Sequence, residues 1–210
     1  YCLNKMQKIL IIKHGSLGDI ILSMYAIFSI KKHYKNSTLT ILTEKRYHEF
    51  FKFIPFVDNI QFDDRPKIYS FLSYIKLCRW FYKEKFNWVF DLQTSNRTNL
   101  YFYMFSLFAI FKWNGIAKKC SHPHLNPCRK TMHTLERHKD QLNVAGIQSL
   151  TKLNWNFLKS DIGKFKLNNK CFLLVIGGSP HRPQKRWSIE NFISLIKYLN
   201  KREIFPVLIG

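Results

Sequence analysis

Acidic side chains are scarce in this chain. Asp and Glu together number 13 against 34 Lys and Arg, a formal net charge of +21 over 210 residues. An excess of this size asks for an anionic partner: nucleic acid, an anionic membrane surface, or a phosphorylated or acidic substrate. Charge alone does not choose among them. An A/T-rich coding sequence, which favours Lys, Asn, Ile and Phe codons, also feeds the lysine count.

Long apolar runs are missing too. The longest charge-free apolar stretch, Leu100 to Phe111, falls short of the roughly 20 residues that span a bilayer. The first apolar run is broken by Lys13, His14 and Asp19, so it does not read as a secretory signal. The expectation is a soluble or peripheral chain. Cysteines are few, odd in number and scattered (Cys2, Cys78, Cys120, Cys128, Cys171), which argues against a disulfide framework and for a reducing compartment. Only eight glycines occur, and nowhere do they spell the G-x-G-x-x-G dinucleotide fingerprint or a G-K-[ST] phosphate loop. No solenoid-length repeat is present.

What is present is a folding chain: 46% hydrophobic and 16% aromatic residues. Strand-like and helix-like runs alternate. Lys8 to Lys13 reads as a buried parallel strand, Asp19 to Tyr34 as a helix with a basic end, Thr38 to Thr43 as a strand and Tyr47 to Phe53 as a short helix. A short strand from Val57 to Phe62, a helix from Ile68 to Lys83 and a strand from Trp88 to Asp91 follow. A helix from Thr98 to Phe111, a strand from Lys112 to Ile116, a loop over 117–132 and a helix from Thr134 to Ala145 capped by Gly146 complete the set. This alternation predicts an α/β fold, a parallel sheet covered on both faces, over residues 1–150. Residues 151–170 are polar and read as a linker. The pattern restarts over 171–210 with strand Phe172 to Ile176, helix Ser188 to Lys201 and strand Phe205 to Ile209. One βαβ unit cannot cover both faces of its sheet, so a second domain is expected to be only begun here.

Five stretches could carry chemistry. Lys13-His14-Gly15-Ser16-Leu17-Gly18-Asp19 lies at the C-terminal end of the first strand, where doubly wound sheets bind ligands. Its glycines admit something close, yet Asp19 would repel a pyrophosphate at that helix end. The plain alternative is an Asp that caps the helix. Gly177-Gly178-Ser179-Pro180-His181-Arg182-Pro183-Gln184-Lys185-Arg186-Trp187 combines small residues with cations and suits a phosphate cradle; a solvated basic loop before Ser188 is the alternative. Asp91-Leu92-Gln93-Thr94-Ser95-Asn96-Arg97 offers amides, hydroxyls and an arginine to a hydroxyl-rich acidic ligand, or is a polar turn. Cys120, His122, His124 and Cys128 could hold zinc, but C-x-H-x-H-x3-C matches no familiar spacing and two prolines restrict it. A basic loop is the better reading there. In the fifth, His133-Thr134-Leu135-Glu136-Arg137-His138, Thr134 can cap a helix and Arg137 could face the cleft, with a plain surface helix start as the better reading.

Taken together, "ILIIKHGSLGDIILSMYAIFSIKKHY", "FNWVFDLQTSNRTNL", "HTLERHKDQL" and "LLVIGGSPHRPQKRWSIENFISLI" resemble the ADP-heptose:lipopolysaccharide heptosyltransferases, glycosyltransferase family 9. The matches run in the family's order, and the first and last are the most specific. The resemblance implies a GT-B architecture: a complete Rossmann-like N-terminal domain for the acceptor, and a second Rossmann-like domain for the nucleotide sugar. It implies an inverting, metal-independent transfer of heptose or a related sugar from an ADP-sugar to the lipopolysaccharide inner core, with no cofactor. Carried over by position, Asp19 becomes the general base. Lys13, Ser16 and Gly18, with Gln93, Arg97 and Arg137, line the acceptor side. Gly178, Ser179, Lys185 and Arg186 approach the donor phosphates, and Lys185 steadies the leaving ADP. The implied setting is cytoplasmic, peripheral at the inner membrane of a Gram-negative bacterium, with an anionic lipid-linked saccharide as acceptor.

One departure matters. The family's second domain continues well past the point matched by Gly210, with a D-[ST]-G-x-x-H segment that binds the nucleotide. The expectation is therefore a fragment with little activity alone, or half of an enzyme with a complementing C-terminal chain. The runner-up is a non-catalytic basic domain on an anionic glycolipid or membrane surface. Nucleic acid is a weaker partner still, because no RRM, KH or zinc-finger signature is present.

Overall fold

The apolar run after Lys8 becomes an inner strand of a six-stranded parallel sheet. A computed structural model of the chain describes residues 6–63, 65, 70–167, 170–177 and 183–209. Two compact units divide at Leu158 and Lys159.

The first unit runs β1 (Gln7–Ile12), α1 (Leu17–His33), β2 (Ser37–Thr43), α2 (His48–Lys52), β3 (Asn59–Phe62), α3 (Phe71–Glu84) and β4 (Trp88–Asp91). It continues with α4 (Asn96–Ser106), β5 (Lys112–Gly115), the two-residue β6 (His122–Pro123) and α5 (Thr134–Val144). Strand order is β3-β2-β1-β4-β5-β6, all parallel. This is the doubly wound order, with its switch point between β1 and β4.

The strand period of two sorts side chains between two cores. Ile9 and Ile11 of β1, with Trp88 and Phe90 of β4, face Ile20, Met24, Ile27 and Ile30 of α1, Phe51 of α2 and Leu142 of α5. Leu10, Ile12 and Val89 face the other way, onto Tyr74, Leu77 and Phe81 of α3 and Tyr101, Phe102 and Phe105 of α4. Ile9 through Ile12 are all fully buried, which is why β1 reads as a continuous apolar run and not an alternating one. At the end of α1, Lys31, Lys32 and His33 suit the dipole, and Lys31 Nζ binds Ser37 O and Asp58 Oδ2, both at 2.7 Å.

Most elements lie within a few residues of expectation. The largest shift is in α4. It starts at Asn96, two residues early, because Ser95 and Thr98 form a reciprocal capping box. It stops at Ser106, five residues short of Phe111. The loop expected over 117–132 contains β6 and a 3-10 turn, Pro127–Lys130. Gly146 follows α5 with φ +85°, the left-handed cap glycine allows. The first part of the stretch read as a linker is docked: Leu153 is buried in the α1-side core, Trp155 packs edge-on to Tyr25 at 6.0 Å and Phe157 to Phe56 at 6.1 Å.

The second unit contains β7 (Cys171–Val175), α6 (Ile189–Asn200) and β8 (Phe205–Ile209), with the two strands parallel. Ser188 caps α6 by accepting from Asn191 N at 3.3 Å. Leu173 and Val175 share one face and are exposed while Leu174 on the other is buried, because one helix cannot cover both faces of a sheet.

The α3–α4 side of the first unit rests on aromatic packing, with Phe81 and Phe105 stacked at 3.9 Å and 8°. Phe105→Ala is expected to lower stability by about 3–5 kcal/mol in urea unfolding. Phe108→Ala, three residues on at a site 60% exposed, should stay within about 0.5 kcal/mol.

Candidate active site

The first polar residues after β1 are buried. Lys13 and His14 continue the strand's direction into the protein, at the switch point of the sheet. Each needs compensation there, and each has it. His14 Nε2 lies 2.8 Å from Asp63 Oδ2, and both side chains are almost wholly buried. Tyr101 O–H donates to the same Asp63 oxygen at 2.6 Å. Burial alone would raise the Asp63 carboxyl, but His14 and Tyr101 outweigh it and hold it below its ordinary range. Lys13 is tuned the other way. Burial lowers its pKa, the nearby Asp19 opposes that, and Arg137 adds to the lowering.

The loop itself is held by side chains from two neighbouring strand ends. The His14 amide donates to Gln93 Oε1 at 3.1 Å. The Gly15 amide donates to Glu44 Oε1 at 3.1 Å, and Glu44 is itself paired with Arg46 at 2.7 Å and Arg65 at 3.2 Å. A Cβ on Gly15 would run into the Tyr47 ring, so glycine is needed for packing. Gly18 differs: it is exposed and has open space around it.

Ser16 is the N-cap of α1, but its side chain makes no capping bond. It donates instead to Asp19 Oδ2 at 3.1 Å. Asp19 therefore sits in the first turn, half-buried, and takes one hydrogen bond among the described residues, from a hydroxyl and not from a backbone amide. The plain capping role weighed for it is not the one it plays.

Around Asp19 the structure gathers Lys13, His138 and Arg137, which act on one another electrostatically. His138 closes the 133–138 stretch, where the sequence points only to Thr134 as cap and Arg137 as cleft residue; the cap is instead His133, whose ring accepts from the Leu135 amide at 3.3 Å. His138 shares the buried face of α5 with Gln141 and Leu142, and neither of its ring nitrogens has a hydrogen-bond partner of good geometry. Burial pushes its pKa down to about 3, with Lys13 and Arg137 adding to the effect and Asp19 and the Leu92 backbone opposing it. The available signal was a polar residue at the core-facing period of an otherwise amphipathic helix.

Asp91, quoted within its motif but given no role, ends β4 fully buried. Its Oδ1 accepts from the amides of Gln93 at 3.1 Å and Thr94 at 2.8 Å; its Oδ2 has no partner of good hydrogen-bond geometry. Burial pushes this carboxyl up to about 6, and the Thr98 side chain and these amides work against the effect of burial. Arg129, also missed, brings a further cation: burial and then Arg137 lower its pKa, while Asp91 opposes them. Its Nε is buried without a hydrogen-bond partner.

Of the residues named from sequence, Lys13, Ser16, Asp19 and Arg137 come together, and Gly18 opens beside them. Gln93 serves the loop backbone. Arg97 points elsewhere, into a tyrosine pair: its Nη1 donates to Tyr74 Oη at 3.2 Å, and it also interacts with Tyr101. In the second unit, Gly178 and Ser179 lie outside the described residues. Lys185 closes a 3-10 turn, Pro183–Lys185, and the Arg186 amide donates back to Pro183 O at 2.9 Å. The zinc reading scatters: the His122 ring packs at a tilt against Trp88 at 4.7 Å, His124 Nε2 meets Asp140 at 2.7 Å, Cys120 is buried and Cys128 exposed. Among the described residues no three His, Cys, Asp or Glu side chains gather as metal ligands would.

The doubly wound α/β unit and the βαβ unit that follows it match the fold of solved glycosyltransferases. Among solved structures the chain is similar to a family 9 glycosyl transferase from Veillonella parvula, at TM-score 0.71 and 19% identity over 96% of this chain and 62% of that one. It is similar to the ADP-heptose lipopolysaccharide heptosyltransferase II of E. coli, at 0.70 and 17% over 97% of this chain and 64% of that one. The E. coli heptosyltransferase WaaC with ADP matches at 0.67 and 14%, over 97% of this chain and 67% of that one. At these identities the likeness is one of fold, and the chain spans 62% of the length of the Veillonella structure. No protein-family model and no curated protein matches the sequence.

Two outcomes follow from the geometry. Gly15→Ala should cost about 1–3 kcal/mol in urea unfolding, from the overlap with Tyr47, whereas Gly18→Ala should stay within about 0.5 kcal/mol. The folded-state pKa of His138 is depressed, so as pH falls from 6.5 towards 3 only the unfolded chain takes up that proton. Stability is then lost with falling pH, by up to about 1.4 kcal/mol per unit from this group. His138→Gln should flatten that slope between pH 7 and 5; an unchanged slope would assign the acid sensitivity elsewhere.

Proposed function

We propose that this chain is the acceptor-binding part of an inverting glycosyltransferase that moves heptose or a related sugar from an ADP-sugar to the inner core of lipopolysaccharide, without a metal. The observation that carries the proposal is Asp19: a half-buried carboxylate in the first turn of α1, relieved of capping, with Ser16 on one oxygen and Lys13, Arg137 and His138 around it. The Asp19 carboxylate takes no backbone amide among the described residues, and one oxygen receives the Ser16 hydroxyl at 3.1 Å.

In the proposed reaction Asp19 accepts the proton of an acceptor hydroxyl as its oxygen bonds to the anomeric carbon. The bond from that carbon to the diphosphate breaks, and ADP leaves on the opposite face, so the configuration inverts. Lys13 and Arg137 hold the acidic groups of the acceptor, with Arg able to chelate two oxygens. Gly178, Ser179, Lys185 and Arg186 attend the donor phosphates, where a fixed cation offsets charge developing on the leaving ADP. The donor class is supported by the WaaC structures, which hold ADP and ADP-2-deoxy-2-fluoro heptose. Gln93 and Arg97 act at one remove, through the loop backbone and the tyrosine pair. The reading carries with it a cytoplasmic site at the inner membrane of a Gram-negative bacterium, and a further C-terminal segment or chain to complete the donor site.

The test has two arms. Binding of a heptose-free lipopolysaccharide acceptor to the chain should weaken about tenfold on Lys13→Ala or Arg137→Ala and survive Asp19→Asn. Transfer from ADP-heptose, read by the mass of the acceptor in the most active form obtained, should fall by about 10²–10⁴ on Asp19→Asn. Acceptor binding indifferent to both cations would return the chain to the non-catalytic reading. Transfer that survives Asp19→Asn would remove Asp19 as the base.

A further inference from the structure

The α3–α4 face of the first unit is unlike the rest of its surface. α3 buries Tyr74, Leu77 and Phe81 on the sheet, yet its outer side also carries Phe71, Leu72, Ile75 and Tyr82. Opposite them, α4 and the residues after it expose Leu100, Tyr103, Leu107, Phe108 and Ile110. Phe71 and Leu107 are 76% and 77% exposed. Between the two helices runs an open groove of about 930 Å³, with Phe71, Ile75, Leu107 and Phe108 among its lining. Scattered apolar residues on a surface need no explanation, but a contiguous lined groove does.

The charges on this face select the occupant. Lys76, Arg79, Lys83 and Lys85 are exposed along and just past α3. From Phe71 to Lys112 the only acids are Glu84 and Asp91. Glu84 is paired with Lys8 at 3.3 Å, and Asp91 is buried. An apolar strip bordered by cations that no acid opposes among the described residues matches an anionic bilayer, with side chains entering the acyl boundary and Lys and Arg at the headgroups. A second copy of this chain would bring the same cations against themselves.

We propose that the α3–α4 face docks on an anionic lipid bilayer. The groove and the charge cluster share a wall: Tyr74 lines the groove, its hydroxyl accepts from Arg97, Arg97 interacts with Tyr101, and Tyr101 donates to Asp63 beside His14. Docking there puts the headgroup layer on the side of the unit from which Arg97 reaches inward. The inference concerns binding to a surface and stands whether or not the chain transfers a sugar.

The experiment is co-sedimentation of the full chain with phosphatidylcholine vesicles, with and without phosphatidylglycerol. The chain should bind the anionic vesicles and bind the neutral ones far less. The triple variant Phe71→Ser, Leu107→Ser, Phe108→Ser keeps every charge and should lose at least about tenfold in partitioning, with an unchanged melting curve. The single variant Leu107→Ser, at the most exposed of the three sites, should lose part of it. Lys76→Glu with Arg79→Glu should lose binding to anionic vesicles several-fold. Binding of the apolar variants equal to that of the unaltered chain would overturn the proposal, since total charge would then suffice. So would a dimer in sedimentation velocity that the triple variant dissolves while vesicles go unbound; that outcome assigns the face to a second copy.

Discussion

The burial of β1 on both faces is the constraint from which the first unit follows. A strand that contacts helices above and below can carry no polar side chain until it ends. Its first polar residues therefore emerge together at the C-terminal rim, still inside the protein, beside the ends of β2 and β4. Lys13 and His14 have to be answered where they stand. His14 is answered by Asp63 and, through it, Tyr101; Lys13 is set among Asp19, Arg137 and Asp91. The charge cluster at the switch point is thus the direct product of how the sheet is covered.

The shortage of acids takes on meaning in this setting. Several of those described in the first unit are engaged: Asp58 holds Lys31 and the Leu39 amide, Glu44 holds the Gly15 amide and two arginines, Asp140 holds His124 and Asn126, and Asp63 and Asp91 are buried. These carboxylates are paired or buried, while most lysines and arginines, Lys13 apart, keep their charge at the surface. The net charge of +21 is accordingly a surface property. It raises the local concentration of anionic partners without prescribing a particular contact.

Much of this was legible in the sequence. β4 and β8 were read to the residue, and the order of strands and helices in the first unit followed from the change of hydrophobic period along the chain. The capping box that starts α4 early was also written there, as Ser95 and Thr98, and was overlooked. Lys13, Ser16, Asp19 and Arg137 were nominated and do meet. What escaped were relations between distant positions: His14 with Asp63, 49 residues apart, and Asp19 with His138, which only the packing of α5 on α1 brings near. Arg97 was read by residue type as a ligand group, but a neighbouring pair of tyrosines claims it. Local pattern sets which face a residue occupies, and tertiary packing sets its partners.

The loop between β1 and α1 has one further consequence. In a dinucleotide-binding fold the amides at this turn stay vacant so that a pyrophosphate can settle on them. Here the first two are filled from within, one by the Gln93 amide oxygen and one by the Glu44 carboxylate, and Asp19 stands over the helix end that follows. The protein has furnished its own anion. A sheet of nucleotide-binding order thus offers a pyrophosphate no free amide at His14 or Gly15, and opening the turn would take the loss of Gln93, Glu44 and Asp19, three side chains from different parts of the chain.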